Sequence, residues 1–264
     1  MAVQDTKVKN TRLIAIIAGV VAVAVLAFFG VPYMTAESWR SDALDATNNA
    51  ITEINKTNND ISVYGNKLQP DKDDYTKLAA ACEAQNNAVK KGKSDLGELG
   101  GFAGFDVTGA YKKATDTRAK LVGAYDELSA LNSACVNRAN AEKEVSEIVA
   151  GVESLESPEG AAAAAKSLHE AAAKIKTFAE TADGTQYDKD VAVAIEDLAS
   201  GLDKLVAGYD AGDNAVMEEG FAMVENAATR LDDLDAASAD HNAALQKKSD
   251  DAIDRLNAAA KELE

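Results

Sequence analysis

Ile195–Tyr209 reads IEDLASGLDKLVAGY, in which Ile195, Leu198, Leu202, Leu205 and Tyr209 recur at intervals of 3, 4, 3 and 4. Apolar residues so spaced fall on one stripe of an α-helix, and a sustained alternation of three and four is the seam of a coiled coil. Gly212 and Gly220 disturb the phase, and whether Ala211-Gly212-Asp213 forms a turn or a kink stays open. The frame resumes at Leu231, Leu234, Ser238, His241, Leu245, Ala252, Leu256 and Leu263. Composition agrees along the whole chain: aromatics make up 5%, there are three prolines, and Ala is abundant. Such chains build long helices with thin interfaces rather than a deep core. The expected fold is all-α, an elongated helical bundle or coiled coil.

Upstream, helix punctuation is legible. A first helix is expected over 36–66, closed by Gly65, Asn66 and Pro70, because proline cannot continue a helix and glycine serves as its C-cap. Asp71 can cap a second, over 72–96. Gly97, Gly100, Gly101 and Gly104 end it, and Phe102 and Phe105 are expected to tuck back onto the bundle. A third runs from Asp106 toward Leu155. Ser157-Pro158 then reads as an N-cap followed by a first-turn proline. A fourth helix follows over 159–182, and a fifth begins near Tyr187.

Lys120-Leu121-Val122-Gly123-Ala124-Tyr125-Asp126 resembles Lys204–Asp210 at an offset of 84 residues, and Asp106-Val107 matches Asp190-Val191 at the same offset. Duplication would give two tandem modules, about 36–136 and 137–264. Chance agreement between Ala-rich amphipathic helices is the alternative.

N-terminal to these helices, Leu13–Met34 (LIAIIAGVVAVAVLAFFGVPYM) carries no charge. At 1.5 Å per residue, about 20 residues cross a bilayer core, so the run is expected to be a single transmembrane helix acting as a signal anchor. Lys7, Lys9 and Arg12 precede it and acidic residues follow, which orients 1–12 as a cytoplasmic tail and 35–264 as an extracytoplasmic domain. Tyr33 and Trp39 fit an interfacial aromatic belt. Competing readings are a cleaved signal peptide, whose apolar core is usually shorter, and a domain left in the cytoplasm.

Cys82 and Cys135 are the two cysteines, and outside the membrane an even pair points to a disulfide. Geometry resists it. If the second and third helices fold back on each other about the Gly-rich stretch, Cys82 faces residues 115–120 and the sulfurs stand about 20–30 Å apart. A bend near Asn132-Ser133, two unpaired packed thiols, or pairing between chains would each resolve the conflict.

The chain has 264 residues and a net charge of −17, which repels nucleic acid and anionic lipid headgroups. The search for chemistry returns little. His169 and His241 belong to no HExxH pattern, no CxxC is present, and the Asp clusters lack the spacing of a calcium loop. His241 in a helix seam reads as a register device or an exposed residue. No phosphate-binding glycine loop and no GxSxG elbow occurs. No catalytic, metal or cofactor site is therefore expected.

The function expected from these features is that of a membrane-anchored structural or interaction module of a bacterial cell envelope. Its partners would be the bilayer through 13–34 and an envelope protein or a second copy of the chain, but not nucleic acid. The alternative is a ligand-binding or sensory ectodomain working with a partner membrane protein, its ligand near Phe102, Phe105 and Tyr111. A secreted helical protein is the third reading.

Overall fold

The computed structural model describes residues 31–65, 72–101, 105–150 and 157–264. Among them the chain is all-helical, without strands. The helices are α1 (Val31–Gly65), α2 (Lys72–Asp95), α3 (Ala110–Ala150), α4 (Pro158–Ala179), α5 (Gln186–Ala211) and α6 (Asn214–Lys261). The apolar run Leu13–Met34, as far as residue 30, lies outside the described residues, as do Lys7, Lys9, Arg12 and Phe102. No helix among the described residues is long and apolar enough to cross a membrane.

Local chemistry sets the helix ends. The Ser157 hydroxyl accepts from the Gly160 N–H ahead of Pro158. Thr185 and Asp188 form a reciprocal capping box at the start of α5. Gly212 adopts φ 63° and caps α5, so Ala211–Asp213 is a turn rather than a kink. The Asp213 carboxylate then accepts from the N–H groups of Ala215 and Val216 and opens α6.

The described residues fall into two compact units, each assembled from separated stretches of chain rather than from consecutive halves. The first contains 31–52, 89–126 and 253–264. Its core holds Trp39, Ala43, Leu96, Leu121, Tyr125 and Leu256. Trp39 is 6% exposed and donates from Nε1 to the Leu96 carbonyl at 2.8 Å. Its expected place in an interfacial belt is thereby corrected. Trp39 belongs to the stripe Ala36, Trp39, Ala43, Thr47 and Ala50, all buried at helical spacing. Tyr33, off that stripe, is exposed. The chain end is tied in by Arg40, donating to the Leu263 carbonyl at 3.0 Å, and by Lys120, 2.5 Å from Glu262.

The second unit contains 53–65, 72–88, 127–150 and 157–252. Here α4 packs on α5 through small side chains, Ala164 and Ala165 on Leu202, and Ala171 and Ala172 on Ile195. His169 bridges the same pair, with Nδ1 2.9 Å from Glu196 and Nε2 2.9 Å from Asp203. The α5–α6 hairpin is closer still. A Cβ on Gly201, Gly208 or Gly220 would stand 2.9, 2.7 and 2.9 Å from Val224, Met217 and Leu205 respectively. Of the two glycines that disturb the heptad phase, Gly212 makes the turn and Gly220 joins Gly201 and Gly208 in the contact surface, where backbones approach too closely for a side chain.

The register of α2 against α3 settles the cysteines. Within this unit Lys72 meets Glu147, and Asn86 bonds Ser129 and Ser133. Cys82 consequently faces Cys135 with Cα atoms 6.1 Å apart, and the two form a disulfide. The sequence-based pairing of Cys82 with 115–120 fails because these contacts set the register further along α3 than a fold-back about the Gly-rich stretch would. Residues 96–109 separate α2 from α3, and in the first unit Gly97 accepts a hydrogen bond from Arg118 at 3.1 Å. The two segments matched at offset 84 also differ in surroundings: Tyr125 is fully buried, Tyr209 62% exposed.

Candidate functional site

A cavity of about 330 Å³ opens within the second unit. Tyr64 of α1, Tyr75 and Leu78 of α2, Tyr187 of α5 and Leu245 of α6 supply its apolar and aromatic wall, and the Cys82–Cys135 disulfide joins them. On the polar side stand Asn132, Arg138 and Glu142 of α3, Asp183 of the α4–α5 turn, and Asp235, Ser238 and His241 of α6.

One stripe places the α3 side chains. Leu128, Leu131, Cys135, Arg138, Glu142 and Val145 follow one another at alternating intervals of three and four. An apolar seam thus runs into two charged residues and back to an apolar one. Charges at seam positions must be partnered where water is thin. Arg138 is: its Nη2 lies 2.9 Å from Asp188 Oδ2, and the two side chains are 12% and 8% exposed. Its Nη1 lies 2.8 Å from His241 Nε2. The Phe178 ring lies 5.4 Å beneath the guanidinium. Asp188 has a second duty, accepting from the Thr185 N–H as part of the α5 cap.

A guanidinium only donates, so His241 Nε2 must accept and the ring proton sits on Nδ1. The imidazole stacks on Tyr187, centroids 4.4 Å apart and planes 12° from parallel. Burial, then the charge of Arg138, holds its pKa below the ordinary histidine value. Beside it, burial pushes the Glu142 carboxyl up to about 7, the pull of Arg138 making up only part of the difference. Tyr75 and Tyr187 are also raised, chiefly by burial and then by Glu142. Asn132 is 3% exposed, and its Nδ2 has no hydrogen-bond partner among the described residues. At this site lies an imidazole kept neutral, a carboxyl that changes charge near neutral pH, and an amide with an unused donor.

Of the residues singled out in the sequence, Cys82, Cys135 and His241 come together here. His241 is half-buried and hydrogen-bonded, more than a register device. Of the aromatic group expected near a ligand, Phe102 lies outside the described residues, Phe105 is 69% exposed and Tyr111 half-buried, and neither of these two lines the cavity. Arg138, Glu142, Tyr187 and Asp188 were not anticipated. Charges within the α3 stripe were the signal that could have found them. Among the described residues no group of three or more His, Cys, Asp or Glu side chains could hold a metal ion. Comparison of the chain with protein-family models, with curated proteins and with solved structures gives no match.

Proposed function

We propose that the chain is a membrane-anchored, extracytoplasmic helical domain that binds a small molecule in the cavity of its second unit. The observation that carries this reading is the group Arg138–Asp188–His241 set beside Glu142 in a cavity of ligand size. Buried ionisable groups with displaced pKa values gather where a protein handles a ligand. Binding fits better than catalysis, because Arg138 occupies the acceptor nitrogen of His241 and leaves that ring no lone pair for a base. The disulfide supports an oxidising compartment, in agreement with the charge-flanked run Leu13–Met34.

The test is a thermal-shift screen of the full chain in detergent against a chemically broad small-molecule set, beside a Ser238→Trp variant that fills the cavity. A compound that raises the melting temperature of the parent and not of the variant supports the reading. No such compound from any chemical class rejects it. Protease shaving of intact cells bearing a C-terminal tag tests the topology, and a tag protected until lysis would reverse it.

The long helices favour a second reading. α3 has 41 residues and α6 has 48, and each contributes to both compact units, an economical way to build a scaffold or spacer. In that case the partner is an envelope protein or a second copy of the chain. In-cell cross-linking that captures one defined species would favour it, and capture of the isolated chain alone would count against it.

A further inference from the structure

The chemistry of the cavity wall narrows the ligand class, an inference that rests on the ligand-binding reading above. Three carboxyl groups face the cavity from three elements: Glu142 of α3, Asp183 of the α4–α5 turn and Asp235 of α6. Asp183 already accepts from Asn137 at 2.8 Å. Among the described residues Arg138 is the single Lys or Arg in the wall, and two of its nitrogens are taken by Asp188 and His241. A carboxylate or phosphate ligand would find no uncommitted cation in this wall among the described residues, and it would meet Glu142 and Asp235. A cation finds those carboxyl groups together with the rings of Tyr64, Tyr75 and Tyr187, the combination that recognises ammonium groups. The net charge of −17 draws cations toward the whole chain. An acidic lining alone would mean little. The independent observation is Asn132, nine-tenths buried on the same wall with its amide donor unpaired among the described residues, which calls for an acceptor that they do not supply.

We propose that the cavity takes a small organic ammonium ion, its charge set beside Glu142 and Asp235 among the tyrosine rings, with Asn132 donating to an oxygen of the same molecule. A volume of about 330 Å³ lies at the low end for ligand pockets and suits a compact molecule. Binding is linked to pH through Glu142. The groups facing it are Arg138 on its own helix, Tyr75 of α2, Tyr187 and Asp188 of α5, and Asp235 and His241 of α6. Glu142, with its carboxyl pushed up to about 7, changes charge near neutral pH.

The experiment is isothermal titration of the full chain in detergent micelles with choline and tetramethylammonium. The neutral isostere 3,3-dimethylbutanol and butyrate serve as controls. Choline is expected to bind at least tenfold more tightly than the neutral isostere, and about tenfold more tightly at pH 8 than at pH 6, following the ionised fraction of Glu142. Glu142→Gln should abolish that pH dependence. Asp235→Asn, at an exposed position, should weaken binding several-fold without touching the fold. Asn132→Leu should erase the preference for choline over tetramethylammonium. Equal binding of the neutral isostere, or preference for butyrate, overturns the ammonium assignment while leaving a ligand site in place. No binding by either cation overturns it as well, and the broader screen then decides the ligand-binding reading separately.

Discussion

Arg138 Nη1 lies 2.8 Å from His241 Nε2, and this one contact fixes the tautomer of the ring and the direction of its titration. The guanidinium cannot accept, so the imidazole does, and a second proton on Nε2 would face a fixed positive charge. Asp188 holds the same guanidinium from the other side at 2.9 Å. The three side chains lock α3, α5 and α6 of the second unit to one another.

Arg138→Met should therefore cost more than a surface change. It leaves Asp188, 8% exposed, as a buried carboxylate without its cation, a loss on the order of 3–5 kcal/mol. The double variant Arg138→Met/Asp188→Asn removes both charges while keeping an oxygen for the Thr185 cap. It should recover about 1–3 kcal/mol of that loss. Urea unfolding of the four proteins of the cycle measures the coupling, and strict additivity would show the pair to be solvated.

Glu142 predicts an unusual pH response. Its folded-state pKa is raised from 4.5 to about 7, so the folded chain keeps a proton that the unfolded chain releases. The sign is fixed: this residue's contribution falls as pH rises from about 4.5 through 7, then levels off. Glu142→Gln, which mimics the neutral acid, should match the parent near pH 4.5 and exceed it at pH 8 by on the order of 1–3 kcal/mol. Denaturation midpoints across this range test it. A gap that does not vary with pH would mean the carboxyl titrates normally.

Helix limits were legible because caps are local chemistry. Ser157-Pro158 announces itself by residue type, whereas at Gly212 residue type alone left turn and kink open; the seam from Ile195 to Leu256 places buried and half-buried positions by periodicity alone, except for the exposed Tyr209. What escaped the sequence was register between helices. Cys82 meets Cys135 because α2 pairs further along α3 than a simple fold-back would place it, a tertiary fact that no local pattern encodes. Trp39 was misplaced for a related reason: its neighbourhood to an apolar run outweighed the short stripe of alanines to which it belongs. The pocket lay between these cases. Arg138 and Glu142 occupy core positions of a readable stripe, and treating charge on a helix as solvent-facing concealed them.

Glycines on α5 and α6 give a contrast within one residue type. Gly208→Ala would set a methyl 2.7 Å from Met217 Cγ and 2.8 Å from the Met217 nitrogen, and backbone cannot give way cheaply. The expected loss is about 1–3 kcal/mol. Gly123→Ala, on an exposed turn of α3 with nothing within 4 Å of the new methyl, should instead stabilise by about 0.5–1 kcal/mol through helix propensity. Melting temperatures moving in opposite directions would confirm the tight α5–α6 hairpin. Gly208→Ala without effect would show that the hairpin opens freely.

The disulfide carries the last prediction, because it belongs to both the fold and the pocket. Cys82 and Cys135 close a loop of 53 residues, so chain entropy places the stabilisation at about 4 kcal/mol. Both sulfur-bearing residues line the cavity, so the bond also ties together the α2 and α3 walls that hold Tyr75 and Glu142. Reduction, or the Cys82→Ala/Cys135→Ala pair, should lower the unfolding free energy by about 2–4 kcal/mol. It should also weaken any ligand found for the cavity, while the Trp39 indole in the first unit keeps its buried fluorescence below the unfolding transition. Parallel loss of the tryptophan signal at low denaturant would show instead that the cross-link supports both units.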